Sequence, residues 1–300
     1  MSLRKAVRRT PAAALGLAGA LALVSSPAEA LEKDLAERYV ALGDSFTAGP
    51  FIPAQYGDPV FCLRSRSNYP NLVAEALGAG EFVDASCSGA ETKHMTTRQE
   101  LPLDTHNPPQ FDALTADTTL VTVGIGGNDF GFGEIVLKCV SLSVTDPHGA
   151  PCREHYTREG GDELADRVGQ TGEEFAEVLA GIRERSPDAT IAAVGYLRLL
   201  PEEEGCWPEV PVADEDVAYL DGAQGDLNAM MEKKAAEAGA VYVDVSERGH
   251  DVCAEHADKW VEGIFPTRPA APVHPNAEGM SEVGARVLTA LGGGEGAPLV

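Results

Sequence analysis

The stretch that decides the fold is Tyr39-Val40-Ala41-Leu42-Gly43-Asp44-Ser45. Its first four residues form an apolar run that is typical of a short buried strand, and the run stops at a glycine. The residues that follow, 46–50, are expected to form a loop. Open α/β sheets bind ligands beyond the carboxyl ends of their parallel strands, so Ser45 lies where a nucleophile would stand. An ordinary turn after a strand explains the same tripeptide, and the rest of the chain has to decide.

Four further apolar runs alternate with helical patterns along the chain. The predicted strands are 82–85, 119–125, 190–195 and 241–245, and the predicted helices are 68–77, 162–185, 214–238 and 275–291. Strands that alternate with helices form a parallel sheet with helices on both faces. We therefore expect one domain over residues 31–291, a three-layer α/β/α structure around a five-stranded parallel sheet of flavodoxin-like order.

Residues 1–30 have the features of a Sec-type signal peptide. Four basic residues precede an apolar stretch from Ala12 to Val24, and Ala28-Glu29-Ala30 has the small-x-small pattern of a cleavage site. The stretch is short for an uncleaved anchor, and no later segment is apolar enough to span a bilayer. We expect a secreted, extracellular protein without stable membrane insertion, ending in a flexible glycine-rich tail at 292–300.

The charge balance excludes some partners. The chain has 23 Lys and Arg against 47 Asp and Glu, a formal net charge of −24. A strongly acidic surface is repelled by nucleic acid and by anionic membranes, so neither is an expected partner. The acidic excess is typical of a solvated surface that keeps an exported protein soluble.

The cysteine count fits the same compartment. An even number of cysteines in an exported chain favours disulfides, and no pair has the spacing of a zinc site. Six cysteines can pair in many ways, but sequential pairing closes the smallest loops at the lowest entropic cost. The favoured pairs are therefore Cys62–Cys87, Cys139–Cys152 and Cys206–Cys253.

Four polar or glycine positions fall on one rim of the predicted sheet. Ser45 follows the first strand, Gly89 the second and Asn128 the third. His274 precedes the last helix, where Pro275 at the first helical position would leave the imidazole just outside the helix. Because the carboxyl ends of parallel strands meet at one edge, we expect these groups to lie close together.

These residue types suit acyl transfer. A serine needs a base to take its proton, and His274 is the best placed of the seven histidines, since the others, including His94, lie in polar segments typical of the surface. The N–H groups of Ser45 and Gly89 and the amide of Asn128 could stabilise an oxyanion. Taken singly, the glycine is explained by a tight turn and the asparagine by an Asx-turn.

Together the motifs carry a family resemblance. Gly43-Asp44-Ser45, Cys87-Ser88-Gly89-Ala90, Gly126-Gly127-Asn128-Asp129 and His274-Pro275 occur in this order between residues 40 and 275. The chain resembles the SGNH (GDSL-type) hydrolases, especially secreted actinobacterial lipases and esterases with three disulfides. The resemblance implies a nucleophile at Ser45, a base at His274, an oxyanion hole of Ser45, Gly89 and Asn128, and no metal or organic cofactor. Thr47 in place of the second glycine of G-x-S-x-G argues against an α/β-hydrolase elbow.

One position departs from the family pattern. Many members have an aspartate three residues before the histidine, where this chain has Ala271, and no acidic residue lies between Glu262 and His274. We therefore expect a Ser–His dyad in which a backbone carbonyl, of Ala271 or Pro272, orients the imidazole. A contact between His274 and an acid from elsewhere, such as Asp258, would contradict this expectation.

The segments expected to shape the pocket are the loops at 50–67, 91–112, 130–160 and 199–213. Their apolar residues are candidates for an acyl site, although core packing explains most of them equally well: Phe51, Phe61, Phe130, Phe132, Leu199, Leu200 and Trp207.

These observations predict a secreted serine hydrolase, a lipase or esterase that cleaves carboxylic esters through an acyl-enzyme on Ser45. Phospholipase and polysaccharide acetylesterase activities are alternatives within the same fold, and the low aromatic content favours lipid or simple esters. A catalytically inactive binding protein on the same scaffold is the alternative from another class. A phosphodiesterase would need an acidic metal cluster that the sequence lacks. We expect a monomer acting on a small-molecule or lipid ester.

Overall fold

The structure is a computed structural model that describes residues 35–292. The signal peptide predicted at 1–30 and residues 293–300 of the predicted tail lie outside this range. Within residues 35–292, no helix is both long and apolar enough to cross a bilayer. The same part of the chain holds no group of three or more His, Cys, Asp or Glu residues arranged to bind a metal ion.

Five parallel strands form the central sheet. They are β1 (Arg38–Gly43), β2 (Glu81–Asp84), β3 (Leu120–Gly124), β4 (Thr190–Val194) and β5 (Val241–Val243). The spatial order is β2-β1-β3-β4-β5, and each neighbouring pair is parallel. This is the flavodoxin-like order that the sequence predicts, and the predicted α/β class is confirmed.

Helices flank the sheet and its connecting loops. They are α1 (Ser45–Ala48), α2 (Tyr69–Leu77), α3 (Gly127–Phe130), α4 (Phe132–Ser143), α5 (Pro151–Tyr156), α6 (Glu163–Arg185), α7 (Val217–Glu237) and α8 (Ala277–Ala290). Short 3₁₀ helices occupy Val60–Cys62, Thr92–Met95, Pro102–Asp104, Gln110–Ala113, Arg158–Gly160 and Asp214–Asp216. Short antiparallel pairs join Gln55–Tyr56 to Arg64–Ser65 and Gln99–Leu101 to Thr105–Asn107.

The sheet separates two apolar cores. Val40 and Leu42 of β1 pack with residues of α6 and α7 on one face. Tyr39 and Ala41, which alternate with them, pack with residues of α2 and α8 on the other face. All four side chains are fully buried, because a parallel sheet is covered on both sides. The sequences of such strands are therefore continuous apolar runs.

Three disulfides link the chain, in the sequential pairing that loop entropy favours: Cys62–Cys87, Cys139–Cys152 and Cys206–Cys253. The first joins the segment after β2 to the 3₁₀ helix at Val60–Cys62. It lies two residues from Gly89, and the N–H of Ser88 donates to the carbonyl of Cys62 at 3.0 Å. The loop that carries Gly89 is thus fixed at its base.

Three sequence-based expectations about local structure are wrong. Residues 46–48 of the expected loop belong to the single helical turn α1, which Asp44 caps, and only Gly49 and Pro50 lie outside the helix. Residues 130–160 contain α4 and α5, because Phe132, Ile135 and Val136 recur at a helical spacing that the loop assignment overlooked. The last helix begins at Ala277 and not at Pro275, since the side chain of Asn276 caps it.

Candidate active site

Ser45 begins α1 directly after β1. The N–H of Asp44 donates to the carbonyl of Gly124 in β3 at 3.0 Å, and the Asp44 Oδ1 accepts the N–H of Phe46 at 2.8 Å. These bonds attach the turn to the sheet and place Ser45 at the first helical position, where an N–H has no partner inside the helix. Gly43 is required because a Cβ there would lie 2.2 Å from the Thr47 Oγ1.

The imidazole of His274 reaches Ser45 as the strand order predicts. Its Nε2 lies 2.7 Å from the Ser45 Oγ, and its Nδ1 lies 2.7 Å from the carbonyl oxygen of Pro272. A carbonyl only accepts, so the proton resides on Nδ1 and leaves Nε2 free to accept the serine proton. Burial lowers the pKa of His274 although the Pro272 carbonyl raises it, and the ring is neutral at neutral pH.

No acidic side chain within residues 35–292 hydrogen-bonds to His274. Asp258 contacts a different histidine, since its backbone carbonyl lies 2.6 Å from the Nδ1 of His250. Pro275, which the sequence places at the first helical position, instead lies two residues before α8 and pairs with Val261 in an isolated β-bridge. His274 is therefore held by a loop and not by a helix terminus.

A buried carboxylate organises that loop. The Glu262 Oε2 accepts the N–H of Thr267 at 2.7 Å, its hydroxyl at 3.0 Å and the N–H of Arg268 at 3.3 Å, and Oε1 accepts the Asn276 amide at 2.9 Å. The N–H of Glu262 donates to the carbonyl of His274 at 3.0 Å. Burial alone would raise the pKa of Glu262, but these hydrogen bonds outweigh it and the pKa is lowered. Sequence reasoning missed this role, because the segment has no periodicity.

The predicted oxyanion-hole donors are the backbone N–H groups of Ser45 and Gly89 and the side-chain amide of Asn128. The Nδ2 of Asn128, in α3, donates to the carbonyl of Ala90 at 2.8 Å, which orients the amide and leaves its second hydrogen available. Gly89 has φ = +76°, in the left-handed region that favours glycine. Within residues 35–292, the N–H groups of Ser45 and Gly89 have no hydrogen-bond partner. Each of the three groups therefore has a hydrogen without a partner among these residues, and Ser45 and Asn128 line the same cavity.

Asp129, the last residue of the third motif, has a structural role. Its carboxylate accepts the N–H of Thr92 at 3.0 Å and the Thr92 hydroxyl at 2.6 Å. Thr92 follows the loop that carries Gly89, so this contact joins that loop to α3. His94, expected on the surface, is buried in the same segment and accepts the N–H of Glu91 at 2.9 Å. That histidine is therefore explained by local structure.

An apolar cavity of about 360 Å³ opens at the serine. Ser45, Asn128 and His274 share its wall with apolar side chains, and Gly89 is not among its lining residues. The apolar wall includes Phe132, Val136, Leu137, Val140, Leu199 and Ile264. A second apolar cavity, of about 50 Å³, shares several of these residues.

The predicted acyl-site residues divide between these cavities and the rest of the protein. Phe132 and Leu199 line the larger cavity, and Phe130 and Leu200 line the smaller one. Phe51, Phe61 and Trp207 line neither cavity. The prediction named Phe132 but missed Val136, Leu137 and Val140 of the same helix, because that segment was expected to be a loop.

The fold and the site together define a class of protein. A serine after the first strand, an asparagine after the third and a histidine before the last helix meet at one edge of an α/β/α sheet, which is the arrangement of SGNH hydrolases. The chain belongs to the GDSL-like lipase/acylhydrolase family, whose model matches residues 41–281. It is a carboxylic ester hydrolase of the actinobacterial lipase branch.

Three relatives illustrate the similarity. Lipase 2 of Streptomyces coelicolor is 36% identical, covering 96% of this chain and 99% of its own length. An extracellular lipase from Streptomyces rimosus matches with a TM-score of 0.70 and 26% identity, covering 85% of this chain and 100% of its own. A phospholipase A1 from Streptomyces albidoflavus matches with a TM-score of 0.65 and 27% identity, covering 86% and 98%.

Proposed function

We propose that this chain is an exported lipase or esterase that cleaves esters of apolar acyl groups through an acyl-enzyme on Ser45, with His274 as the base. The observation that carries the proposal is the 2.7 Å contact between the Ser45 Oγ and the His274 Nε2 at the wall of an apolar cavity. A serine within hydrogen-bond reach of a neutral imidazole is the arrangement that activates a nucleophile.

Acylation begins when the Ser45 Oγ attacks the ester carbonyl carbon and His274 Nε2 takes the hydroxyl proton. The carbonyl oxygen becomes an oxyanion, which accepts hydrogen bonds from the N–H groups of Ser45 and Gly89 and from the Asn128 amide. His274 then gives its proton to the leaving alcohol oxygen as the ester C–O bond breaks. The acyl group remains on Ser45.

Deacylation repeats these steps with water as the nucleophile. His274 takes a proton from the water as its oxygen attacks the acyl carbon, and returns it to the Ser45 Oγ when the acid leaves. The Pro272 carbonyl supports both steps by holding the proton on Nδ1, which keeps Nε2 in the accepting tautomer. This is a Ser–His dyad with a backbone carbonyl in the place of the acid.

The cavity supports a lipid or simple ester over an acetylated polysaccharide. An acetyl group would fill little of a cavity of about 360 Å³, and buried apolar area is what favours a longer chain. The three disulfides support export, because such bonds persist in oxidising compartments. The names of the relatives leave acylglycerols and phospholipids as candidate substrates.

The test is the hydrolysis of p-nitrophenyl esters from acetate to laurate by the wild type, Ser45→Ala and Ser141→Ala. Ser141 is an exposed serine of α4 whose hydroxyl bonds only within that helix, to the carbonyl of Lys138, so it controls for the loss of a hydroxyl. We expect Ser45→Ala to lower kcat by at least about a thousandfold and Ser141→Ala to match the wild type. We expect kcat/KM to rise from acetate to a longer chain.

Two results would contradict the proposal. If the wild type hydrolysed no ester of any length, the binding-protein alternative would be favoured. If Ser45→Ala hydrolysed the esters as fast as the wild type, the nucleophile would lie elsewhere.

A further inference from the structure

Tyr196 lies just beyond β4, outside the four motifs, and its side chain is buried between two of them. Its hydroxyl donates to the Asp44 Oδ2 at 2.6 Å, and it accepts the N–H of Gly127 at 2.7 Å. Asp44 is the residue before Ser45, and Gly127 is the residue before Asn128. One hydroxyl therefore joins the turns that carry two of the proposed oxyanion donors.

The tyrosine is itself held rigidly. Its backbone N–H donates to the Asn228 Oδ1 at 2.9 Å, and its carbonyl accepts the Asn228 Nδ2 at 2.8 Å. Its ring meets Phe46 and Phe132 edge-on, with centroids 5.2 and 5.4 Å apart. These contacts fix the hydroxyl relative to α7 as well as to the two turns.

The close approach of Gly127 supports the same role. A Cβ on Gly127 would lie 3.0 Å from the Tyr196 Cζ and Oη and 2.9 Å from a ring carbon of Phe132. Any residue with a side chain would therefore push the N–H away from the hydroxyl. The glycine of the third motif serves this hydrogen bond as well as the turn.

We propose that Tyr196 is a positioning residue of this ester hydrolase, setting the spacing between the Ser45 N–H and the Asn128 amide through its bonds to Asp44 and Gly127. The role rests on the proposed function, since it acts through the oxyanion donors of that reaction. An oxyanion needs its donors at hydrogen-bond distance in the transition state, so a small change in their spacing lowers kcat more than it changes substrate binding.

The hydrogen-bond pattern depends on the ionisation of Asp44. As a carboxylate, Asp44 accepts both the Tyr196 hydroxyl and the Phe46 N–H, and the tyrosine oxygen is left to accept from Gly127. A proton on Asp44 occupies one of its oxygens, so this arrangement must change. Burial raises the pKa of Asp44 to about 7, against the opposing hydrogen bonds from Tyr196 and Phe46.

Other ionisable groups also surround Asp44. The charge of Asp129 raises the pKa of Asp44, and the charge of Asp44 in turn helps to raise the pKa of the Tyr69 phenol, from α2. His274 shares the cavity wall with Asp44, and its own pKa is lowered by burial to below its ordinary 6.5. We therefore expect kcat to fall in two steps as pH decreases, first with Asp44 and then with His274.

The experiment compares Tyr196→Phe, Asp44→Asn and the double variant with Tyr219→Phe as the matched control. Tyr219 also donates its hydroxyl to a helix-capping aspartate, Asp162 at the start of α6, at 2.9 Å, but contacts neither motif turn. We expect Tyr196→Phe and Asp44→Asn each to lower kcat about tenfold on a p-nitrophenyl ester and to leave KM within twofold of the wild type. Each substitution breaks the same chain of hydrogen bonds, which runs from Asp44 through the Tyr196 hydroxyl to Gly127.

The double variant gives the sharpest result. Both substitutions break the same chain of hydrogen bonds. We therefore expect the double variant to lose about tenfold in kcat, as each single variant does, and not about a hundredfold. The step in kcat near pH 7 should vanish in both single variants and persist in Tyr219→Phe. Thermal unfolding identifies any variant that fails to fold, and Asp44→Asn then replaces Tyr196→Phe.

The positioning role is overturned if folded Tyr196→Phe keeps kcat within twofold of the wild type, or if the two losses multiply in the double variant. Failure of the proposed function gives a different result, since the wild type would then be inactive or Ser45→Ala would be active. The inference and the function it rests on are therefore tested separately.

Discussion

Two buried carboxylates support the two halves of the site, and burial affects their ionisation differently. Asp44 precedes the proposed nucleophile, Ser45, and Glu262 donates its backbone N–H to the carbonyl of the proposed base, His274. Neither residue is more than 1% exposed. The pKa of Asp44 is raised by burial to about 7, whereas the pKa of Glu262 is lowered in spite of burial. Burial weighs more heavily on Asp44, which also faces the charge of Asp129, and only two hydrogen bonds reach the Asp44 carboxylate whereas four reach that of Glu262.

The comparison shows that the halves of the site are held by different means. The turn of Ser45 is bonded to the sheet by the backbone N–H of Asp44, in addition to the hydrogen bonds that the Asp44 carboxylate accepts. The loop of His274 is held by the hydrogen bonds that the Glu262 carboxylate accepts. An ionised carboxylate stabilises the fold where folding lowers its pKa, as for Glu262, and destabilises the fold where folding raises its pKa, as for Asp44.

The largest expected effect is the pH dependence of stability due to Asp44. Its folded pKa of about 7 lies above the ordinary 3.8, so between these values the folded state binds a proton that the unfolded state releases. The free energy of unfolding therefore falls as pH rises through this window. Relative to Asp44→Asn, we expect the wild type to lose about 3 kcal/mol between pH 5 and pH 8.

Urea unfolding of the wild type and Asp44→Asn at several pH values measures this difference. Asp44→Asn removes the titrating group, and the other acids contribute equally to the pH dependence of both proteins. A difference between the two proteins that does not change with pH would show that Asp44 is ionised throughout this range.

Glu262→Gln should have the next largest effect on stability. Here the loss of the charge should destabilise the fold, whereas at Asp44 the presence of the charge destabilises it. A glutamine must turn its NH₂ towards donors, so at neutral pH we expect the free energy of unfolding to fall by about 2 kcal/mol and kcat to fall with it. The folded pKa of Glu262 is lowered, so its contribution is present above the unfolded value and is lost as pH falls through the folded value. The difference in the free energy of unfolding between the wild type and Glu262→Gln should be constant from pH 6 to 8 and should become smaller in acid.

Glu278→Gln is a suitable control for Glu262→Gln, because Glu278 is an exposed acid near the start of α8 whose side chain, among residues 35–292, pairs with Arg268 alone. If both substitutions changed stability equally, the burial of Glu262 would not matter.

The smallest expected effect tests the count of donors itself. Thr267→Val removes one of the four hydrogen bonds to Glu262, together with the hydroxyl contact to the His256 Nδ1, and leaves the backbone N–H of residue 267 in place. We expect a loss of about 1 kcal/mol in the free energy of unfolding and a rise in the pKa of Glu262, seen as a shift of the acid unfolding midpoint to higher pH. An unchanged acid unfolding midpoint would mean that the other three hydrogen bonds are enough to lower the pKa of Glu262.

Much of the sheet and of the site could be predicted because both depend on local signals. A parallel strand buried on both faces is a continuous apolar run, so β1 and β3 stand out in the sequence. The position of Ser45 and Asn128 after such runs places them on one rim without any knowledge of the loops. The site residues His274 and Gly89 follow from motif order, which fixes their place in the fold.

The parts that could not be predicted depend on contacts between distant segments. Tyr196 and Glu262 act through residues far along the chain or through an aperiodic loop, and neither position carries a local pattern. The remaining α4 residues of the wall, Val136, Leu137 and Val140, were missed for another reason, since their short apolar repeat lies between glycines and a polar stretch that resemble a loop. His94 was expected on the surface, because its bond to the N–H of Glu91 follows from the 3₁₀ turn and not from residue types.

The contact between Ser45 and His274 spans 229 positions of the chain. The first strand supplies one partner and the segment before the last helix supplies the other, so a growing polypeptide carries a serine without its imidazole until nearly the whole domain has been synthesised. Recovery of ester hydrolysis during refolding would therefore report the docking of the final loop and helix, and not the formation of the sheet. In this protein, enzymatic activity is a late marker of folding.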